Sequence, residues 1–129
     1  MNKILVEVSI GELLDKISIL EIKQGKIKDP EKLKFINNEY SILKNQLKKN
    51  VKYDDKLNKL YQSLKEINAK LWIIEDDKRQ CEKDKDFTKR FIKLSRDVHF
   101  LNDDRAKIKL EINNHTGSTI KEIKEYTSY

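Results

Sequence analysis

Residues 57–74 read LNKLYQSLKEINAKLWII, and they show the clearest helical pattern in the chain. Its apolar residues recur three and four positions apart, the heptad rhythm of a helix that packs along one side; they are Leu57, Leu60, Leu64, Ile67, Leu71 and Ile74. Asp54 or Asp55 is placed to cap this helix at its start. We therefore predict one helix over about residues 55–84, which at 1.5 Å per residue is about 45 Å long.

Capping residues mark three further helices. Ser9 and Glu12 have the spacing of a capping box, in which each side chain bonds the other residue's backbone amide. Asp29 precedes Pro30, a residue favoured at the first helical position, and Asp86 is placed to cap the last helix. The four predicted helices cover about residues 9–26, 30–50, 55–84 and 87–115.

These helices predict an all-α protein. Their connections are short, so we expect each helix to pack antiparallel to the next, in an up-down bundle of four helices that forms a single domain over residues 1–129. The first helix is apolar almost all round, which predicts a place at the centre of the core. Helices three and four form a long hairpin, and we expect its turn to centre on Lys85.

The two ends of the chain differ from the helices. Residues 3–8 are rich in β-branched side chains, and we expect them to be extended. Residues 116–129 alternate only loosely, which fits a frayed helix, a strand beside residues 3–8 or a disordered end. We favour a fourth arrangement, in which the tail is extended and docks on the bundle.

Composition narrows the classes of function. The net charge of +6 raises the question of a nucleic-acid partner, but the acidic residues are interspersed with the lysines, which does not favour nucleic-acid binding. No apolar stretch could span a bilayer and Cys81 stands alone, so we predict a cytoplasmic protein without membrane insertion. Only 37% of the residues are apolar, which fits association with a second copy or with another protein.

Polar residues interrupt or flank the apolar stripes of helices three and four. Charge beside an apolar stripe is costly unless it is paired, so these residues predict a binding site. The candidates are Asn68, Trp72, Glu75, Asp76 and Arg79 on helix three, and Asn102, Arg105 and Lys109 on helix four. Arg105 stands in line with apolar residues, and we expect it to meet Glu66 or one of the first-helix carboxylates Glu12, Asp15 and Glu21.

Three motifs in fixed order carry a family resemblance. They are SIGELLDKISILEIK at residues 9–23, NAKLWIIEDDKR at residues 68–79 and NDDRAKIK at residues 102–109. In these motifs the chain resembles a small bacterial family of uncharacterised all-helical proteins, often encoded near glycosyltransferase and surface-polysaccharide genes. The resemblance implies a link to surface-polysaccharide or glycolipid synthesis and no defined activity. Leu110 departs from the pattern, since members often carry a basic residue there.

Two functions stay open at this point. The first is a cytoplasmic accessory protein without cofactor or metal, which binds an envelope-synthesis protein or a small anionic ligand. The alternative is a metal-dependent hydrolase of nucleotides or sugar nucleotides, in which carboxylates of helices three and four, such as Glu75, Asp76 and Asp103, hold the ion.

Single residues in the predicted site also have two interpretations. Trp72 is suited either to stacking on a sugar or base or to filling the core. Glu75 and Arg79 have the spacing of an intrahelical ion pair; alternatively, Arg79 holds a ligand phosphate or carboxylate together with Arg96. His99 has no second histidine nearby, so it does not predict a metal site.

Overall fold

Four α helices build the protein, in a computed structural model that describes residues 2–129. They are α1 (Ile10–Lys26), α2 (Pro30–Asn50), α3 (Asp55–Asp84) and α4 (Lys89–Thr116). The described residues contain no strand, so the prediction of an all-α helical bundle is confirmed. Each of the helices in this range falls short of the combined length and apolarity that a bilayer crossing requires.

The capping residues act at three of the four helix starts. Ser9 Oγ accepts from the Glu12 amide at 3.0 Å, Asp29 Oδ1 from Glu31 at 3.0 Å, and Asp54 Oδ1 from Leu57 at 2.7 Å. The capping box of α1 is only half formed, because the Glu12 carboxylate accepts from the Lys109 ammonium and not from the Ser9 amide. A buried ammonium without a counter-charge costs more free energy than a backbone amide at a helix end without an acceptor.

The turn between α3 and α4 centres on Lys85, as predicted. Lys85 has a φ of 56°, in the left-handed region that ends many helices, and its amide bonds the last turn of α3. Asp86 accepts from both the amide and the hydroxyl of Thr88. It thereby shapes the turn and does not cap a helix at residue 87, so α4 begins at Lys89.

Helix α1 lies at the centre of the bundle and packs against each of the other three helices. No Cα atom of α2 comes within 8 Å of α3 or α4 in the described chain, so α2 and α3 are not the backbone neighbours that we expected from their short connection. The reason lies in α1, which separates them. Its Glu21 accepts from Tyr40 of α2 at 2.9 Å and from Tyr61 of α3, and so joins the two helices through side chains.

The contacts of α1 pass from one helix of the α3–α4 hairpin to the other. Near its start, the Gly11 amide donates to Asn113 Oδ1 of α4 at 2.7 Å, and near its end Glu21 meets α3. Because α1 contacts α4 near its start and α3 near its end, it crosses the hairpin and does not run along one of its helices. The core cluster lies at this crossing; its largest fully buried members are Leu14, Ile17, Leu57, Leu64 and Ile112.

The chain ends behave differently from each other. Residues 2–8 have no regular structure and are exposed. The tail after Gly117 returns along α4 without forming a strand: Glu122 accepts from Lys109 at 3.1 Å, and the Tyr129 ring lies 4.7 Å from that of His99. The prediction of a docked extended tail is confirmed.

The crossing of α1 and α4 is tested by substituting Gly11. A Cβ atom there would lie 2.6 Å from the Lys109 carbonyl oxygen and 2.9 Å from Asn113 Oδ1. We expect Gly11→Ala to lower the free energy of unfolding by about 1–3 kcal/mol, because two helix backbones must move apart. Gly25→Ala is the matched control on the same helix; nothing lies within 4 Å of its Cβ, and a gain of about 0.5 kcal/mol is expected. Urea unfolding measures both, and a Gly11→Ala protein as stable as the wild type would contradict the crossing.

Candidate ligand-binding cleft

A buried ion pair joins α1 to α4 beside the predicted site. Asp15 is only 2% exposed, and its two carboxylate oxygens accept from Arg105 in a fork: Nε donates to Oδ1 at 2.9 Å and Nη2 donates to Oδ2. The expectation that Arg105 meets a carboxylate is confirmed, and Asp15 is the partner among those considered. The planar guanidinium explains why an arginine stands in an otherwise apolar line.

Asn68 of α3 completes this network. Its amide nitrogen donates to Asp15 Oδ1 at 2.9 Å and to Ser18 Oγ at 2.8 Å, while the Ser18 hydroxyl donates to the Asp15 carbonyl at 2.7 Å. Every fully buried side-chain nitrogen and oxygen in the described residues has a hydrogen-bond partner. The network therefore forms a rigid, internally satisfied floor.

The network sets the protonation state of Asp15. Burial acts to raise the pKa of this carboxyl, but the hydrogen bonds from Arg105 and Asn68 and the positive charges of Arg105 and Lys109 together lower it below its usual value. The hydrogen bonds that Arg105 donates to Asp15 outweigh burial and raise the pKa of Arg105. Both groups are therefore charged at neutral pH.

Lys109 forms a second cluster one turn further along α4. This buried ammonium donates to Glu12 Oε2 at 2.7 Å and to Glu122 Oε2 of the tail at 3.1 Å. Next on the same face is Asn113, which holds the Gly11 amide and which sequence reasoning missed. A signal was present, because Asn113 continues the polar spacing of Asn102, Arg105 and Lys109 by four residues.

Most of the predicted site residues converge on one cleft beside this network. The cleft has a volume of about 320 Å³ and lies where α1 crosses α3 and α4. Its walls are formed by Ile19, Asn68, Leu71, Trp72, Glu75, Asp76, Arg79 and Arg105. Asn102 and Lys109 are the predicted residues that do not line it. Asn102 Oδ1 accepts from Arg105 Nη1 at 3.5 Å.

Three charged side chains in the cleft have no partner within the described chain. Glu75, Asp76 and Arg79 are exposed, and none of them makes a hydrogen bond or ion pair there. The intrahelical pair between Glu75 and Arg79 is therefore not formed. Trp72 is half-buried beside them, with part of its ring open to the cleft. These groups are available to a ligand.

Other candidate residues lie elsewhere. Arg96 packs over the Phe100 ring in a separate surface crevice, so it does not join Arg79 in holding one ligand group. Asp103 faces the tail, away from Glu75 and Asp76. Among the described residues, no group of three or more His, Cys, Asp or Glu side chains is arranged to hold a metal ion. Cys81 is buried, with its sulfur 3.4 Å from Arg90 Nη1.

The geometry of the cleft suits recognition. It combines an aromatic face, two carboxylates and one unpaired guanidinium over a floor that is already satisfied. A ligand with a ring, several hydroxyls and an anionic group would match each of these side chains.

The Asp15–Arg105 pair predicts a specific pH dependence of stability. At pH 7 we expect Asp15→Asn to cost about 2–4 kcal/mol, because Arg105 loses its counter-charge. Folding lowers the pKa of Asp15. The stabilisation is therefore complete above the pKa of Asp15 in the unfolded chain, about 3.9, and is lost as the pH falls through its lower pKa in the folded protein. Urea unfolding should show that the two proteins begin to converge in stability once the pH falls below about 4.

Asp97→Asn is the matched control, since Asp97 pairs with the exposed Lys93 at 2.7 Å on the surface of α4. This change should cost only about 0.3–0.5 kcal/mol. Equal effects of the two substitutions would contradict the role of the buried pair.

Comparison with known proteins identifies the family. No curated protein and no solved structure matches this chain. The family described as "Family of unknown function (DUF6165)" matches residues 4–129, which include all four helices, the cleft and the tail. The resemblance to an uncharacterised family is thus confirmed: the chain belongs to the DUF6165 family of unknown function.

Proposed function

We propose that this protein is a cytoplasmic accessory protein that binds an anionic, sugar-containing ligand in the cleft between α1, α3 and α4. The observation that carries the proposal is the convergence of Trp72 with three unpaired charged groups, those of Glu75, Asp76 and Arg79, on one cleft. Asp15 and Arg105 satisfy each other, whereas the charged groups of Glu75, Asp76 and Arg79 are left free to pair with a ligand.

Each group has a role in this binding mode. The indole face of Trp72 stacks on a sugar ring or base, and the carboxylates of Glu75 and Asp76 accept from sugar hydroxyls. Arg79 presents its fork to a phosphate or carboxylate of the ligand. Arg105 is held by Asp15, so it shapes the floor and leaves Arg79 as the main anion-binding group.

The biological setting is part of the proposal. The three motifs resemble those of bacterial proteins encoded near glycosyltransferase and surface-polysaccharide genes, and sugars linked to phosphate are the intermediates of such syntheses. A lone, unpaired Cys81 fits the reducing conditions of the cytoplasm. We therefore propose a sugar nucleotide or sugar phosphate as ligand, with a protein of envelope synthesis as the partner that receives it.

A metal-dependent hydrolase is less well supported by the geometry. That reaction requires several carboxylates around one ion, whereas Asp103 lies on the tail side of α4 and Glu75 and Asp76 lie in the cleft. No contact in the described residues favours the hydrolase over binding, so binding is the function that we propose.

Thermal melting with UDP-glucose and glucose 1-phosphate tests the proposal. A ligand at a hundred times its Kd should stabilise the protein by about 2.7 kcal/mol, which raises the Tm by several degrees. Trp72→Ala and Arg79→Gln should each weaken binding at least about tenfold, the cost of about 1.4 kcal/mol of lost contact. Calorimetric titration gives the Kd values.

Arg96→Gln is the matched control, because Arg96 is an exposed arginine outside the cleft; it should bind as the wild type does. No shift with either sugar compound, or equal losses in Arg79→Gln and Arg96→Gln, would contradict the proposal. Hydrolysis of UDP-glucose that needs Mg²⁺ and stops in Glu75→Gln would support the hydrolase instead.

A further inference from the structure

The segment of residues 3–8, which we call the N-terminal segment, contains the most exposed large apolar side chains among the described residues. Ile4 is 90% exposed, Leu5 85% and Val6 73%. No hydrogen bond or ion pair in the described chain involves residues 2–8, so their backbone amides and carbonyls are unpaired. A contiguous exposed apolar stretch of this kind marks an interaction surface.

The composition of the N-terminal segment favours strand pairing. Ile4, Val6 and Val8 are β-branched, and in an extended chain they lie on one face. Lys3, Leu5 and Glu7 then lie on the other face. The segment joins directly to Ser9, which is buried and caps α1, so its base is anchored to the bundle.

The order of the charges matches a second copy of the same segment. When two such segments run antiparallel about Leu5, Lys3 of each lies opposite Glu7 of the other, and Leu5 lies opposite Leu5. Ile4 then lies opposite Val6 on the apolar face. Opposite charges and β-branched pairs directly across an antiparallel ladder are stabilising.

We propose that the N-terminal segment pairs antiparallel with the same segment of a second copy, which gives a dimer with a two-fold axis through Leu5. Such an interface is isologous, as in most homodimers. The family match begins at residue 4, so all of the segment except Lys3 lies within the matched region. A two-stranded ribbon is only marginally stable in water, so we expect a weak dimer that forms as the concentration rises.

Charge exchange tests the proposed pairing. Lys3→Glu places a second carboxylate opposite Glu7 at both ends of the ribbon, and Glu7→Lys places a second ammonium opposite Lys3 at both ends. Each variant should dimerise at least about tenfold more weakly than the wild type, since two favourable pairs become repulsive. An equimolar mixture of the two variants, and the doubly exchanged K3E/E7K protein, should recover the wild-type dimer because both restore opposite charges. Sedimentation equilibrium over a concentration series measures this.

The outcomes separate the proposal from its alternatives. A wild-type protein that stays monomeric up to the millimolar range would overturn it, as would variants that dimerise as strongly as the wild type, because another surface would then hold the copies. A mixture no more dimeric than its components would also overturn it. Glu31→Lys, an exposed charge change on α2, is the control and should leave dimerisation unchanged.

Disulfide trapping tests the register. Directly opposite Cα atoms lie about 4.5–5.5 Å apart, within the range that a disulfide bridges. With oxidised glutathione as the oxidant, Leu5→Cys should form a covalent dimer, and Ile4→Cys should crosslink to Val6→Cys faster than to itself. The buried Cys81 does not compete. Equal rates for all pairs would overturn the register. The N-terminal segment does not line the cleft between α1, α3 and α4. The outcome of the dimerisation experiments is therefore independent of the proposed function.

Discussion

The ion pair between Asp15 and Arg105 is the contact on which the arrangement of the helices depends. The carboxylate is almost fully buried, and it accepts from Arg105 of α4 and from Asn68 of α3 at once. One side chain of α1 therefore sets the positions of both hairpin helices. Apolar residues of similar size would stabilise a core equally well. We interpret the pair as a source of specificity, because only one crossing of α1 over the hairpin brings the three partners together.

The parts of the fold that depend on local chemistry could be predicted from the sequence. The α3–α4 hairpin follows from the heptad rhythm of residues 57–74 and from the turn at Lys85, because both act within one stretch of chain. The crossing of α1 could not be predicted in the same way. A short connection limits where the next helix begins but does not choose its packing partner. Here α1 lies between α2 and α3, and its Glu21 accepts from Tyr40 and Tyr61.

The sequence could predict which residues lie together in the candidate site, but not which partner each residue bonds. Helical spacing places residues on a common face, and most of the predicted residues do line one cleft. The choice of partner depends on which carboxylate of α1 meets which cation of α4. Glu12 meets Lys109, Asp15 meets Arg105, and the sequence offers no rule that separates these pairings.

The difference between paired and unpaired charges is what separates the floor of the cleft from its walls. Glu75 and Arg79 stand four residues apart in the order that favours a helical ion pair, yet they do not bond. An exposed pair of this kind would contribute only about 0.3–0.5 kcal/mol, so little holds these side chains to each other. A ligand bound as we propose, above the rigid Asp15 network, would exclude water there, and each hydrogen bond that it makes would then become stronger. Because the floor is already ordered, the proposed binding would require only the wall side chains to lose conformational freedom.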